Sequence, residues 1–300
     1  MKILVTGSRG LIGSALVPCL TAAGHQVTRL VRGQLSPAEA SEISWNPDRG
    51  QLDPAALAGF DAVVHLAGEN IAAGRWTAER KARIRDSRLV GTRLLSQTLA
   101  QLSRRPKVLV SASAVGFYGD RGEQPVDEAS PPGAGFLAQV CRDWEAATGP
   151  AAAAGVRVVS VRIGLVLAAR GGALAKMLPV FRWGLGGRLG SGRQYMSWIT
   201  LDDVVAAIAH ALATEALRGP VNLVAPQPVT NRQFTKALGR VLGRPALLPV
   251  PAFVLRAIWG QMAKELFLSS ARVTPRRLLD SGYRFRDPEL SAALRRLLGW

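Results

Sequence analysis

The stretch MKILVTGSRGLIG, residues 1–13, decides the fold that this sequence predicts. Residues 3–5 are a short apolar run of β-forming residues, and an amphipathic stretch follows from Leu11 to Gly24. This order predicts a strand, a glycine turn and a helix. In such a turn the first glycine permits the tight bend, the second lets the backbone approach a pyrophosphate, and the third lets the helix pack on the strand. We therefore predict a dinucleotide site, rather than a plain turn, with contacts from Gly7, Arg9, Gly10, Leu11, Ile12 and Gly13.

The first half of the chain alternates strand and helix patterns up to about residue 162. This alternation is typical of the α/β class with a doubly wound parallel sheet, the Rossmann fold. We expect one short strand, at 43–45, to lie at the edge of the sheet. The other strands predicted after the first lie at 26–31, 62–66, 108–110 and 156–161, with helices at 77–99 and 134–154 and a polar connection over 36–54.

After residue 167 the sequence becomes rich in loops, which indicates a second, smaller lobe. We expect a Rossmann core over residues 1–167, to which segments such as 195–225 return, and a C-terminal α/β substrate lobe over 168–300. The two are expected to enclose a cleft. The elements predicted in this half are helices at 204–213 with Asp202 and Asp203 as cap, at 230–242 beginning at Thr230, at 249–268 and at 288–298, and a strand at 221–224.

The bulk composition excludes several classes of protein. Hydrophobic residues make up 48% of the chain, which is enough for a buried core. No apolar run reaches the roughly 18–20 residues of a membrane span, and glycines interrupt the start where a signal peptide would continue. Cys19 and Cys141 both lie in predicted helices and are expected to be packing residues, which fits a reducing compartment. We therefore predict a cytoplasmic protein without a membrane partner.

The formal net charge is +17, from 38 Lys and Arg against 21 Asp and Glu. Such an excess invites a nucleic-acid interpretation. However, the basic residues are spread along the chain, and the clusters at 272–277 and 295–296 lack interleaved aromatic residues. We therefore expect no nucleic-acid partner and favour an anionic small ligand.

The glycine-rich segment 187–192 superficially resembles a phosphate loop, but Arg193 and Gln194 follow it instead of Lys and Ser or Thr. We prefer to interpret this segment as a glycine-rich loop that covers the cleft and brings Arg188 near an anionic substrate. The three histidines are widely separated, and none pairs with Cys or Asp at ligand spacing, so no metal site is predicted.

The cofactor preference is predicted from the second strand. NAD enzymes place an acidic residue about 20 positions past the first glycine, where it binds the ribose 2′-hydroxyl. Residues 27–33 contain no acid and do contain Arg29 and Arg32. Arg32 ends the strand and is best placed to meet a 2′-phosphate, and Arg9 in the turn would add a second charge. We therefore predict NADP(H) rather than NAD(H).

Several motifs together resemble those of the extended short-chain dehydrogenase/reductases. Residues 6–13 resemble their TGxxGxxG turn, residues 64–68 their fourth-strand motif and residues 111–119 their serine strand. Residues 198–203 resemble their W-x-H-x-x-D segment, with Thr200 where histidine is usual.

More narrowly, the chain resembles the atypical branch called NAD-dependent epimerase/dehydratase family, or epimerase family protein. Residues 250–298 resemble the C-terminal domain of unknown function found in that branch. The other segments that carry the resemblance are 68–71, 87–88, 144–145, 184–187, 190–192 and 197–199. By position, the resemblance implies cofactor contacts from residues 7–13, Arg32, Leu66, Ala67, Gly68, Arg88 and Val166.

Classical members of the superfamily use a Tyr-x-x-x-Lys pair on the helix after the serine strand. The lysine lowers the pKa of the tyrosine so that its phenol exchanges a proton near neutral pH. The corresponding helix here aligns Phe136 with Val140, or Leu137 with Cys141, so neither a phenol nor an ammonium is present.

Other residues remain as candidates for the chemistry. Ser113 would polarise a carbonyl, and Tyr118 on the following loop would be a replacement acid. Glu69 and Asn70 follow the fourth strand, where ligands bind in such sheets, and would contact substrate or ribose, or simply cap the next segment.

Two functions stay open on the sequence alone. The first is an NADP(H)-dependent oxidoreductase or epimerase-like enzyme with a non-standard proton donor, acting on a small molecule that the sequence does not identify. The second is a catalytically silent NADP(H)-binding sensor or scaffold. The helices predicted from residues 77 and 134 match those that pair across dimers in the superfamily, so a homodimer is an expectation.

Overall fold

The computed structural model describes residues 1–33 and 41–300, so part of the predicted connection over 36–54 lies outside the described residues. Strands and helices alternate through the first half of the chain, as the sequence patterns predict. The strands are β1 (Lys2–Thr6), β2 (Gln26–Arg32), β3 (Glu42–Trp45), β4 (Ala62–His65), β5 (Val108–Ala114), β6 (Pro125–Val126), β7 (Arg157–Ile163), β8 (Leu165–Leu167), β9 (Tyr195–Met196), β10 (Trp198–Thr200), β11 (Gly219–Leu223), β12 (Val229–Thr230) and β13 (Arg272–Val273).

The helices surround these strands. They are α1 (Leu11–Ala22), α2 (Ala78–Gln101), α3 (Phe136–Ala146), α4 (Gly149–Ala153), α5 (Gly172–Arg182), α6 (Leu201–Ala213), α7 (Asn231–Val241), α8 (Ala252–Trp259), α9 (Arg276–Asp280) and α10 (Leu290–Leu298).

Seven strands form one parallel sheet in the order β11-β7-β5-β4-β1-β2-β3. The Rossmann fold class is therefore confirmed. β3 is the edge strand that the sequence predicts. β11 comes from the second half of the chain and completes the opposite edge.

The two faces of the sheet are covered by different helices. Along β1, Ile3 and Val5 face one core, while Leu4 faces the other, as strand geometry requires. The first core contains Leu16 of α1 and residues of α6; the second contains Leu95 of α2. Each such buried leucine stabilises the fold by about 1.5–3 kcal/mol. Both faces are closed to water, so the carboxyl edge of the strands is left for ligands.

The residues after 165 add small sheets and helices to this core. β8 pairs with β10, β9 with β12, and β6 with β13. α10 packs against α7. The α6 N-terminus is tied to the C-terminal segment, because the Asp203 carboxylate accepts hydrogen bonds from the Tyr283 hydroxyl and the Asp287 backbone N–H. The C-terminal segment is therefore bound to the core at more than one place.

Several predicted boundaries are wrong in detail. The helix predicted over 134–154 divides into α3 and α4, because Gly149 and Pro150 interrupt it. The helix predicted over 249–268 ends at Trp259 and is followed by a separate π turn, Ala263–Phe267. Thr200, rather than Asp202 or Asp203, caps α6. By contrast, the cap at Thr230 is confirmed, and it forms a full capping box with Gln233.

The two cysteines differ in environment. Cys141 is buried, as expected of a packing residue, but Cys19 is exposed on α1, and that prediction is wrong. The buried face of α1 is instead made by Gly13, Leu16, Val17 and Leu20. Within the described part of the chain, no helix is long and apolar enough to cross a membrane.

Candidate functional site

The turn between β1 and α1 has the geometry that its glycines predict. Gly7 has a φ of +66°, and a Cβ there would lie 2.6 Å from the carbonyl carbon of Leu66. A Cβ at Gly13 would lie 2.3 Å from the Gly7 oxygen, so this position also requires glycine. At Gly10 a Cβ would meet the Gly7 oxygen, at 3.3 Å; apart from the chain neighbours of Gly10, no other atom of residues 1–33 and 41–300 would come within 4 Å. Gly10 therefore leaves the approach to its backbone open.

The start of α1 is suited to an anion. Its N-cap is Gly10, which provides no side-chain cap, and no acidic residue stands in the first turn. The first N–H groups of a helix have no intrahelical acceptor, and they carry the positive end of the helix dipole. A pyrophosphate would satisfy them, so the turn fits the dinucleotide that its sequence indicates.

The two arginines predicted to meet a 2′-phosphate, Arg32 and Arg9, differ in their side-chain contacts. Arg32 ends β2, is exposed, and makes no hydrogen bond or ion pair within residues 1–33 and 41–300. Arg9, by contrast, donates from Nη2 to Oε1 of Glu42 across 3.0 Å, and that carboxylate is fully buried on β3. Arg32 is therefore the side chain available to a 2′-phosphate, while the charge of Arg9 is shared with Glu42.

The loop after β4 lies directly against the glycine turn. The Thr6 hydroxyl oxygen accepts hydrogen bonds from the backbone N–H groups of Leu66 (3.1 Å) and Ala67 (3.3 Å). The same oxygen is 2.7 Å from Nδ1 of His65, whose Nε2 is 2.9 Å from the Thr92 hydroxyl. This buried set fixes the two strand ends that would flank a cofactor.

The His65 ring is fully buried between these two threonines. Burial lowers its pKa from 6.5 to about 4 because the charged form would lose its hydration. The ring is therefore neutral at physiological pH, and it connects β1, β4 and α2 without carrying a charge.

Arg88, on α2, binds the loop after β4 through its guanidinium. Its guanidinium donates to the carbonyl oxygens of Ile84 (2.9 Å) and Glu69 (3.0 Å), and it stacks 5.1 Å from the centre of the Trp144 ring. Its Cζ lies 3.4 Å from the position of a Cβ at Gly68. Desolvation lowers the pKa of Arg88. The guanidinium thus supports residues 66–69 directly, whatever it contributes to a bound phosphate.

Glu69 and Asn70 are both engaged within the protein. The Glu69 carboxylate accepts from Arg80 at 2.8 Å, and the Asn70 side-chain oxygen accepts from the backbone N–H of Ala72 at 2.9 Å. These contacts match the capping alternative that the sequence left open. They also place both residues at the carboxyl edge of the sheet.

Three polar residues form a row across neighbouring strands at that edge. Ser113 on β5 is paired in register with Arg162 on β7, which is paired with Asn222 on β11. The Ser113 hydroxyl donates to Oε1 of Glu145 at 2.6 Å. Arg162 binds both oxygens of the same carboxylate, each at 2.8 Å. Glu145 stands on α3 and so connects the serine strand to the helix that follows it.

Tyr118 belongs to the same buried network. Its hydroxyl donates to Oδ1 of Asn222 at 2.8 Å and accepts from Arg162 at 2.9 Å. The ring is completely buried, and desolvation raises its pKa to about 12. Tyr118 therefore does not face open space, because interior partners engage its hydroxyl. This placement argues against Tyr118 as the replacement acid.

The start of α3, where the classical tyrosine is expected, is closed by the C-terminal segment. The Glu265 carboxylate accepts from the backbone N–H groups of Phe136 (3.2 Å) and Leu137 (2.8 Å). Phe136 also packs edge-on against Trp76, with ring centres 5.2 Å apart. Aromatic packing and a carboxylate cap thus occupy the start of α3.

The remaining predicted residues lie apart from this network. Val166 is on β8, packed against the core of the sheet. Arg188 is half-buried in the glycine-rich segment of the C-terminal part. Across the described residues, no group of three or more His, Cys, Asp or Glu side chains is placed to hold a metal ion.

Sequence reasoning missed four residues of the site: Glu145, Arg162, Asn222 and Glu265. Arg162 directly follows the predicted strand 156–161, and Asn222 lies within the predicted strand 221–224. A buried polar or charged side chain at such a position is a signal for a partner. Nothing in the sequence pattern connects Glu265 to α3, because 128 positions separate it from Leu137.

Comparison with known proteins agrees with this architecture. A model of the NAD dependent epimerase/dehydratase family matches residues 3–223, and a model of a domain of unknown function, DUF1731, matches residues 250–297. The chain therefore belongs to the NAD dependent epimerase/dehydratase family. The more specific resemblance, to proteins called epimerase family protein, is confirmed by the relatives that follow.

One relative is the epimerase family protein Mb2239 of Mycobacterium bovis, which is 48% identical over 292 residues, 97% of this chain and 96% of the relative. The crystal structure of human epimerase family protein SDR39U1 (isoform 2) with NADPH is 36% identical, with a TM-score of 0.90 over 100% of this chain and 99% of that chain. A nucleoside-diphosphate sugar epimerase from Corynebacterium glutamicum is 38% identical, with a TM-score of 0.83 over 100% of this chain and 58% of that one.

Proposed function

We propose that this protein binds NADP(H) in the turn from Gly7 to Gly13. The support is the open approach at Gly10 together with the uncapped start of α1. Arg32 supplies the charge for the 2′-phosphate. The loop at residues 66–68 lines the adenine and ribose, and it is held in place by Thr6 and Arg88. The human relative crystallised with NADPH supports the same cofactor.

We further propose that the protein is an oxidoreductase or epimerase-type enzyme whose proton step passes through Ser113 and Glu145. When bound, the nicotinamide accepts or donates hydride. The single observation that carries the proposal is the 2.6 Å hydrogen bond from Ser113 to a carboxylate that Arg162 holds in place. A hydroxyl, an adjacent base and a third group that orients the base are the arrangement that acid–base chemistry requires.

The proton balance follows from these contacts. In the oxidising direction, a substrate hydroxyl gives its proton to Ser113 while Ser113 passes its own proton to Glu145. Glu145 then passes this proton onward to solvent. A side-chain exposure of 15% gives Glu145 an outlet to solvent. The reducing direction runs the same transfers in reverse.

The experiment is a turnover assay with NADPH and NADP⁺ across a panel of nucleotide sugars and small carbonyl compounds. We expect Ser113→Ala to abolish the turnover of any substrate found. Glu145→Gln should lower kcat while the affinity for NADPH is kept. Full turnover in both variants would exclude this relay.

A catalytically silent NADP(H)-binding sensor or scaffold is the second candidate. It is favoured by one observation: Ser113 is 2% exposed and its hydroxyl is already engaged, so access for a substrate requires rearrangement. This candidate predicts tight NADPH binding, no solvent-isotope exchange into the bound cofactor, and a partner interaction that depends on the state of the cofactor.

We also propose the arrangement around this chemistry. Residues 1–167 serve as the cofactor core and residues 168–300 as the lobe that receives a small, anionic substrate, with Glu69, Asn70 and Arg188 at the cleft. A cytoplasmic homodimer that pairs α2 and α3 across subunits completes the proposal. Sedimentation analysis would test the dimer directly.

A further inference from the structure

A cavity of about 560 Å³ lies in the C-terminal part of the chain, away from the glycine turn. Its volume is within the range that small-molecule sites occupy, about 300–1,000 Å³. Besides small and apolar residues such as Thr235, Ala246 and Leu247, its walls carry five cationic side chains: Arg188, Arg232, Lys236, Arg240 and Arg244.

Three of these cations share one face of α7. Arg232, Lys236 and Arg240 are four residues apart, a spacing that places side chains above one another on a helix. Like charges at this spacing repel each other and destabilise the helix. The arrangement therefore has a cost unless an anion offsets it.

Two glycines bring the other cations toward this face. A Cβ at Gly239 would lie 2.9 Å from both the Ala246 Cβ and the Arg244 oxygen, so only glycine lets the segment with Arg244 close on α7. Gly192, at a φ of +70°, lies between the stems of Arg188 and Arg232, whose Cβ atoms would be 3.2 and 3.3 Å from its own. The cations converge because the backbone brings them together.

No acidic side chain is among the described residues that line the cavity. The lining residues come from two stretches, 146–201 and 216–264, that contain no Asp or Glu. Within the described part of the chain, none of the five cations forms an ion pair; Arg188 and Arg232 point to the same Ser191 carbonyl oxygen, at 3.3 and 3.5 Å.

We propose that this cavity binds a small polyanion that carries at least two phosphate groups. Four of the five cations are arginines, whose planar fork binds phosphate oxygens in pairs. One phosphate would leave most of the five charges unmatched, whereas a polyphosphate or a bisphosphorylated metabolite matches several at once. Thr235, Ala246 and Leu247 would contact the uncharged part of such a molecule. The proposal does not rest on the cofactor site proposed above, because no lining residue belongs to the glycine turn, the central sheet or α3. Of the residues proposed for the substrate cleft, Arg188 also lines this cavity.

The test is calorimetric titration of the full chain with tripolyphosphate and with inorganic phosphate at constant ionic strength. The informative variant is Arg240→Gln/Arg244→Gln, because neither side chain makes a hydrogen bond or ion pair in the part of the chain described. The matched control is Arg93→Gln/Arg284→Gln, which removes the same charge from exposed positions elsewhere.

We expect saturable binding of one tripolyphosphate, at least tenfold tighter than that of phosphate. The cavity variant should lose at least tenfold in affinity, and the control less than twofold. Equal losses in both variants, no saturation, or tighter binding of duplex DNA or of phosphatidylglycerol vesicles than of tripolyphosphate would overturn the proposal. NADPH affinity, measured in parallel, should be unchanged in both variants, which separates this site from the cofactor site.

Discussion

The Ser113 hydroxyl donates a 2.6 Å hydrogen bond to Glu145, and both oxygens of that carboxylate are bound by Arg162. The contact joins the serine strand to the C-terminal part of α3. It is also buried, so it contributes to stability as well as to the proposed proton relay. These two roles make different predictions, and both are measurable.

The first prediction concerns the stability of the buried ion pair. Glu145→Gln leaves the Arg162 charge, 4% exposed, without its counter-charge, and we expect the free energy of unfolding to fall by about 3–5 kcal/mol. The matched control is Asp143→Asn on the same helix, because the contacts of Asp143 with Gln139 and Arg142 lie at the exposed surface. It should cost no more than about 0.5 kcal/mol. Urea unfolding of both variants measures the difference, and equal costs would show that the pair contributes little.

The second prediction separates binding from stability within the glycine turn. Gly10→Ala adds a methyl group that, chain neighbours apart, meets only the Gly7 oxygen among the described residues, so the free energy of unfolding should change by less than about 1 kcal/mol. The same methyl group stands where a pyrophosphate approaches, so NADPH affinity should fall at least tenfold.

Gly13→Ala is the counterpart of this variant. Its methyl group would lie 2.3 Å from the Gly7 oxygen, and we expect a loss of about 1–3 kcal/mol in stability as the turn shifts. Urea unfolding and cofactor fluorescence on the two variants test the pair together. Unchanged NADPH binding in a stable Gly10→Ala protein would contradict the proposed site.

The third prediction concerns pH. The pKa of His65 is about 4 in the folded protein, below its unfolded value of 6.5, so the folded state keeps the ring neutral. Above pH 6.5 neither state binds the proton, and the full stability is present. As the pH falls from about 6.5 to about 4, only the unfolded state gains the proton, so this ring removes about 3 kcal/mol of stability.

NMR titration of the His65 ring measures this directly. We expect the ring to stay neutral down to about pH 5, with stability falling over the same range in urea unfolding. A His65 signal that titrates near pH 6.5 would contradict the buried position between Thr6 and Thr92.

The sequence predicted most of what depends on local pattern. The glycine turn, the order of strands and helices, and the cap at Thr230 all follow from residues within a few positions of one another. By contrast, the exposure of Cys19 depends on tertiary packing, and the local pattern predicted it wrongly. The break between α3 and α4 does have a local signal, Gly149 and Pro150, which the prediction of one continuous helix did not use.

In the candidate site, too, the contacts between residues far apart in the sequence could not be predicted from local pattern. Ser113 is recognisable from its strand, but its partner Glu145 lies 32 positions away and is selected by the crossover of α3 over the sheet. Tyr118 is a candidate replacement acid by its position in the sequence, yet its hydroxyl is bound in the interior to Arg162 and Asn222. Which polar groups satisfy one another is settled by the sheet register, and no single-sequence pattern reports that register.

The central claim, an NADP(H) site formed by the glycine turn and Arg32, is tested most directly by titrating the protein with NADPH and NADH and following cofactor fluorescence. We expect NADPH to bind at least tenfold more tightly than NADH. Arg32→Gln should remove most of this preference, and Arg93→Gln, a matched change at an exposed arginine on α2, should keep it. Equal or tighter binding of NADH by the unmodified protein would contradict the account.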